Sequence, residues 1–352
     1  VRIGAESEPI MSEPVLNESA LLERLTRPSP ALIEFIPRVA SPLVVLGAGG
    51  KMGPSLCVLA RRAADAAGHP LDVIASSRFS DPASRQWLES QGVKVIAADL
   101  LERDAMRSLP EAENVIYLLG LKFGTTQNPA LTWAVNTLPP AHVAERYSRA
   151  RIVALSTGNV YPFVPATEGG AREDHPLTPV GEYANAAIAR ERIFEYFSAK
   201  QGTPIALLRL SFAVELRYGV LVDIARRVWE ERPIDLVNGS VNWLWQGDAN
   251  DLILRALPLA SSPAGAWNLT HPQPLRVREV AARFADLFQK EPHFTGHEAA
   301  DSLLSNPEKL CARLGRPPMT ADQVIAWIAH WIRNGGANLN KPTHFEVRNG
   351  QY

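Results

Sequence analysis

Cysteine is nearly absent: Cys57 and Cys311 are the only two in 352 residues, and no CxxC or Cys/His spacing accompanies them. That rules out a metal site built on thiolates, and both read as plain core or surface thiols. No apolar run approaches the ~20 residues that a membrane span needs. No basic segment followed by an apolar one opens the chain, so the expected compartment is the cytoplasm. Charge of one sign is missing as well. Thirty-six basic against 37 acidic residues, mixed along the chain, leave a net charge of −1, which gives no footprint for nucleic acid or anionic lipid. With 46% hydrophobic and 21% charged residues, the composition is that of a globular protein with core enough for one large domain or two modest ones.

No repeat or low-complexity tract interrupts the chain, and its organisation follows from hydrophobic patterning. Residues 1–41 carry two weak helical patterns broken by Pro28 and Pro30. They are expected to form an extension that packs outside the domain or stays partly mobile. From residue 43 short apolar runs alternate with helical ones. The strands are "LVVLG" (43–47), "LDVIASS" (71–77), "KVIAAD" (94–99), "NVIYLLG" (114–120), "RIVALST" (151–157) and "PIALLRLS" (204–211). Continuous apolar strands joined by crossover helices predict an α/β fold, a Rossmann-type doubly wound parallel sheet covered on both faces, over residues 42–212. Residues 213–335 read as a smaller C-terminal substrate lobe that interleaves with the sheet or stands beside it. In it, helices are expected before Pro233, after "VNWLW", from near Arg276, and from an N-cap at Thr320; "AWNLT" is a further strand. The tail, 336–352, is polar but contains Phe345, Val347 and Tyr352, and is expected to dock on the surface or on a second subunit.

"VVLGAGGKMG" places Gly47, Gly50 and Gly53 as GxxGxxG between the first strand and the first helix. Glycines allow the sharp turn and the close approach of a pyrophosphate, and the helix N-terminus supplies free N–H groups. At the end of the second strand stand Ser76, Ser77 and Arg78 where a carboxylate would select the ribose of NAD. Hydroxyls followed by a guanidinium suit a 2′-phosphate, which favours NADP, with NAD as the alternative. Asp99, ending the third strand, is placed either for the adenine amino group or as the N-cap of "LERDAMRSL".

These pieces, with "LSTGNVYP", "PVGEYANAAIARE", "WQGDANDLILRAL" and "WNLTHPQPLRVREVA", occur in an order and spacing that resembles the extended short-chain dehydrogenase/reductase family of NAD(P)-dependent epimerases, dehydratases and reductases. The resemblance covers 43 to about 335. It implies that Thr157 polarises the substrate oxygen and that Tyr183 transfers the proton. It also implies that Lys51, Met52, Leu100, Leu119, Gly120 and Asn136 complete the cofactor contacts, with Asn159 at the substrate. Family members often dimerise through the helix after "NVIYLLG" and the one carrying the tyrosine, so a homodimer is expected. The pattern breaks at one point. The lysine expected four residues after the tyrosine, on the same helix face, is Ala187. Arg190 lies about two turns away, roughly 10 Å along the axis. A phenol with no cation beside it is ionised to only about one part in a thousand at neutral pH, which suits a proton donor better than a base. Lys122, in the loop after the fourth strand, could replace the cation or could be a solvated loop lysine.

At the substrate end, no Arg or Lys occurs from Pro233 to Asn250, so the cation that holds the diphosphate in nucleotide-sugar members is missing. Trp243 and Trp245 alternate at strand spacing and are read as sugar-stacking or core residues; Arg217 is a candidate for a carboxylate or phosphate. The expectation is an NAD(P)-dependent oxidoreductase or epimerase acting on a small sugar or sugar acid rather than a nucleotide-diphosphate sugar. A catalytically weakened dinucleotide-binding regulatory or scaffold protein is the alternative.

Overall fold

The computed structural model describes residues 13–125 and 127–351; the first twelve residues of the N-terminal extension and Tyr352 of the tail lie outside it. Seven strands form the central sheet: β1 (Leu43–Leu46), β2 (Val73–Ser77), β3 (Lys94–Ala97), β4 (Asn114–Tyr117), β5 (Arg151–Thr157), β6 (Ile205–Leu210) and β7 (Gly265–Leu269). Their order is β7-β6-β5-β4-β1-β2-β3, and every neighbouring pair is parallel. Parallel neighbours require crossovers, and helices supply them on both faces. The pleat of β1 shows the result. Leu43 and Val45 enter one core and Val44 and Leu46 the other, all four fully buried. The edge strand β3 departs from the expected continuous burial, with Lys94 and Ala97 exposed.

The helices are α1 (Glu18–Leu25), α2 (Pro30–Phe35), α3 (Gly53–Ala66), α4 (Pro82–Ser90), α5 (Arg103–Arg107), α6 (Pro129–Arg146), α7 (Gly181–Gln201), α8 (Val220–Trp229), α9 (Gln246–Arg255), α10 (Val277–Phe288), α11 (Glu308–Leu314) and α12 (Ala321–Arg333). The N-terminal arm is not an outside decoration. Val15, Leu21 and Leu25 sit in the core of the small lobe with α8, α10 and α12. The strand read as "AWNLT" is β7, which returns to the sheet edge beside β6. α12 begins at a full capping box made by Thr320 and Gln323. Cys57, on α3, is buried in the core and Cys311 is half-buried. Among the described residues, no helix is long and apolar enough to cross a membrane.

The order reverses at β1, whose neighbours are β2 and β4. Chains leaving the ends of β1 and β4 therefore diverge onto opposite faces and open a crevice between them, the place where parallel sheets bind ligands.

Candidate active site

Gly47 follows β1 directly and takes φ +79°, and a Cβ there would lie 2.7 Å from the Leu119 nitrogen beyond β4. Only glycine fits. The loop then winds through two tight turns, Gly50 N–H to the Gly47 carbonyl and Gly53 N–H to the Gly50 carbonyl. A Cβ on Gly53 would collide with the Ala48 backbone. The N-cap of α3, Met52, provides no side-chain hydrogen bond to the first turn; with the Gly53 amide on the Gly50 carbonyl and Pro54 lacking a donor, the Ser55 amide is the first-turn donor left for a ligand.

On one side of this loop is a cleft of about 210 Å³ lined by Ser77, Arg78, Asp99, Leu100, Leu119 and Gly120. The Arg78 side chain is 74% exposed and 3.9 Å from Asp99, held loosely enough to turn to a ligand. Asp99 accepts the Leu101 amide at 3.0 Å, whereas the N-cap of α5 is Glu102. The helix-cap alternative for Asp99 is thereby removed. Asn136, expected against the cofactor, is fully buried behind the loop. Its amide donates to the carbonyls of Leu121 and Thr132 and its oxygen accepts from Arg190, so it braces the turn after β4.

On the other side lies a cavity of about 380 Å³, whose walls include Gly47, Lys51, Met52, Lys122, Thr157, Asn159, Tyr183 and Tyr218. β5 delivers Thr157 at its end, where its hydroxyl donates to Asn159 Oδ1 at 2.9 Å and accepts the Asn159 amide at 3.2 Å. Tyr183 comes from the first turn of α7, at 9% exposure. Residues far apart in sequence thus face one space together with the glycine loop.

The position of the missing lysine is filled. Ala187 is fully buried among Val160, Tyr161, Ala171 and Leu304. Arg190 donates to the Leu119 carbonyl at 3.1 Å and to Asn136 Oδ1 at 3.2 Å. The cations of the cavity come from elsewhere. Lys51 donates to the Ala213 carbonyl at 2.8 Å and lies 4.2 Å above the Tyr218 ring. Burial pulls its pKa down to about 7, with Glu215 opposing. Lys122 is not a solvated loop lysine. It lies 5.6 Å from the Phe212 ring, reaches the Thr343 carbonyl at 3.4 Å, and is lowered by burial to about 8. Burial, reinforced by Asp223 and Tyr183, holds the Tyr218 phenol above the usual range. The signal for Lys51 was a lysine inside the glycine loop. The tail residues Leu339 and Lys341, which also line this cavity, gave no signal.

Three expected substrate contacts sit elsewhere. Arg217 is tied to the buried Glu215 carboxylate at 3.2 Å and to Glu18 at 3.7 Å, outside the cavity wall. Trp243 is fully buried, stacked on His271 at 4.4 Å with its N–H on the Gln273 carbonyl. Trp245 packs edge-on against Trp327 at 5.6 Å. Both are core residues of the small lobe, which needed their area more than a ligand could. No group of three or more His, Cys, Asp or Glu able to hold a metal occurs among the described residues.

With this geometry in place, the comparisons decide the family. The family model described as "NAD dependent epimerase/dehydratase family" matches residues 43–269. The chain belongs to that family. Its cofactor is NAD or NADP, and the close-packed glycines, the uncapped start of α3 and the two clefts flanking the loop fit a dinucleotide laid across β1. UDP-glucose 4-epimerase of Thermus thermophilus, solved with NAD, is 21% identical at a TM-score of 0.65, covering 83% of this chain and 99% of that one. The Thermotoga maritima UDP-glucose 4-epimerase, solved with UDP-glucose, is 15% identical at 0.65, covering 84% and 99%. The dTDP-glucose 4,6-dehydratase of Bacillus anthracis in complex with NAD is 14% identical at 0.69, covering 84% and 97%. At such identities the likeness is one of fold. No curated protein matches the chain.

Proposed function

We propose that the protein oxidises or reduces a hydroxyl-bearing or carbonyl carbon of a small sugar acid, with Tyr183 moving the proton and Thr157 holding the reacting oxygen. The observation that carries this reading is the convergence of Thr157, Tyr183 and the Gly47–Gly53 loop on one cavity. The bound nicotinamide would supply or accept the hydride. Thr157 is pre-oriented by Asn159, so its hydroxyl needs little reorganisation to meet a substrate oxygen. Lys51 and Lys122 supply the positive potential that the residue at position 187 does not.

A sugar acid is preferred over a neutral sugar because Lys51, Lys122 and Lys341 line the cavity and, among the described residues, no Asp or Glu does. The UDP-glucose and dTDP-glucose enzymes of similar fold weigh towards a nucleotide sugar. Against that, no guanidinium stands between residues 233 and 250, and Arg217 is already engaged.

The test is turnover of a panel of uronates and aldonates, followed through nicotinamide absorbance, by the natural protein and by Tyr183→Phe. Removing the acid–base group should lower kcat by roughly 10²–10⁴-fold and leave NADPH and NADH binding unchanged. If kcat survives, Tyr183 is not the proton carrier. Tight dinucleotide binding with no turnover of any carbonyl or hydroxyl compound would favour the scaffold role instead.

A further inference from the structure

After α12 the chain does not wander. Residues 335–351 recross the substrate side of the cavity and end against the helix that carries Tyr183. The Leu339 amide donates to the Arg217 carbonyl at 3.1 Å, and Leu339 and Lys341 form part of the cavity wall. Thr343 is held from both sides. Its amide and hydroxyl donate to Asp223 Oδ2 in the first turn of α8, at 2.7 and 2.5 Å, and its carbonyl receives Lys122. Phe345 is 3% exposed within the small-lobe core, and its carbonyl accepts Asn238 Nδ2 at 2.7 Å. Arg348 pairs with Asp301, donates to Asn238 Oδ1 at 2.7 Å and lies 3.9 Å over the Phe163 ring. Gly350, at φ +71°, packs on the backbone of Val180 and Gly181, where α7 begins. So many anchors describe a wall.

The wall stands where a longer substrate would run. A reacting carbon has to lie between Thr157 and Tyr183 on one side and the glycine loop on the other. The space past Asn159 and Phe212, towards Asn238, Ser240 and Val241, adjoins the reacting cavity, sharing Lys122, Asn159, Phe212 and Leu303 with it, and would receive whatever else a longer substrate carries. There His344, Phe345 and Val347 occupy the space. The room left there, about 10 Å³, admits a water but no nucleotidyl group, against about 380 Å³ measured the same way at the reacting end.

We infer that the C-terminal segment 341–347 is the specificity-determining element of this site, closing the outer cleft against a nucleotidyl group so that only a small, free substrate fits. The inference rests on the proposed oxidoreductase reading and deepens it. Specificity of this kind can be built by obstruction of the wrong ligand, and Thr343 and Glu346 accordingly spend their polar groups on the protein.

The experiment measures calorimetric binding of UDP and UDP-glucose to the full chain saturated with NADPH, for the natural protein and for the double variant Phe345→Ala, Val347→Ala. The natural protein should show no binding at millimolar nucleotide. The variant, which empties the outer cleft, should bind UDP at least 10-fold more tightly, with NADPH affinity unchanged within twofold. Thr343→Ala, which removes the hydroxyl bond to Asp223 and keeps the amide one, serves if the double variant fails to fold. It should raise protease cleavage within 341–347 and uncover the same UDP binding. Binding of UDP-glucose by the natural protein as tight as by the variants would overturn the inference. So would a released segment with no gain in UDP binding. The underlying reading fails separately, by loss of NADPH binding or of turnover in the natural protein.

Discussion

Lys51 is the residue whose chemistry the site most depends on. It stands inside the glycine loop, with its amine on the Ala213 carbonyl and its pKa drawn to about 7 by burial. At pH 8 the free protein therefore holds this amine mostly neutral. A dinucleotide pyrophosphate bound at the same loop favours the ammonium form, so binding at pH 8 takes up a proton, and affinity falls as pH rises above about 7. Titration calorimetry in buffers of different ionisation enthalpy should show an uptake approaching one proton, abolished in Lys51→Met; equal heats in all buffers would refute it. Ala187 supplies the complementary case. Its surroundings are close-packed and apolar, so Ala187→Lys should lose roughly 1–3 kcal/mol by overpacking, read from denaturant midpoints, with no gain in cofactor affinity. A tighter cofactor complex at undiminished stability would show that the position still accepts the family's lysine. The absence of that lysine was legible in "YANAA", and Lys122 was legible as one candidate to stand in for it; the burial of Lys51 and Lys122 in one cavity was not, because it depends on how β4, α8 and the tail approach the loop.

At the scale of elements, α7 is positioned from within the sheet. Glu191, fully buried, accepts from Arg209 Nη2 at 2.7 Å and Nε at 3.1 Å and from the Ser156 hydroxyl. Arg209 Nη1 donates to the Tyr161 hydroxyl at 2.7 Å, which in turn donates to Asn268 at 2.8 Å. One network thus joins α7, β5, β6 and β7 directly behind Thr157 and Tyr183. Glu191→Ala would leave the Arg209 charge buried without its partner and should cost about 3–5 kcal/mol. Urea unfolding checks this, and adding Arg209→Leu should recover much of the loss; a change under ~1 kcal/mol would mean that the pair is solvated in solution. The strands and helices themselves were legible because buried parallel strands are continuous apolar runs and their helices are amphipathic. β7 was legible as a strand but not as part of the sheet. Its partner β6 is more than fifty residues earlier, and nothing local in "AWNLT" specifies that pairing. The tail was opaque for a related reason. Its anchors are scattered side-chain contacts to Asp223, Asn238 and Asp301, which impose no periodicity.

At the scale of the molecule, the cavity exists only while the small lobe keeps its place over the ends of the strands, and α1 helps to fix that place. Leu21 and Leu25 are buried in the small-lobe core, Arg24 stacks 5.2 Å from the Trp327 ring on α12, and Glu23 pairs with Arg62 on α3, the helix of the phosphate loop. The exposed ion pair contributes little; the leucines carry the attachment, each worth roughly 1.5–3 kcal/mol of transfer free energy. Leu21→Ala should therefore destabilise the protein by about 2–5 kcal/mol, measured by denaturant unfolding. Because α1 bridges the lobe and α3, the same variant should also weaken NADPH binding severalfold in fluorescence titration, although Leu21 is not among the residues lining either cleft. Loss of stability with binding intact would confine α1 to the small lobe. A change under ~0.5 kcal/mol would mean that residues 13–27 ride on the surface, as their polar flanks suggest, and that the lobe is held by its own core alone.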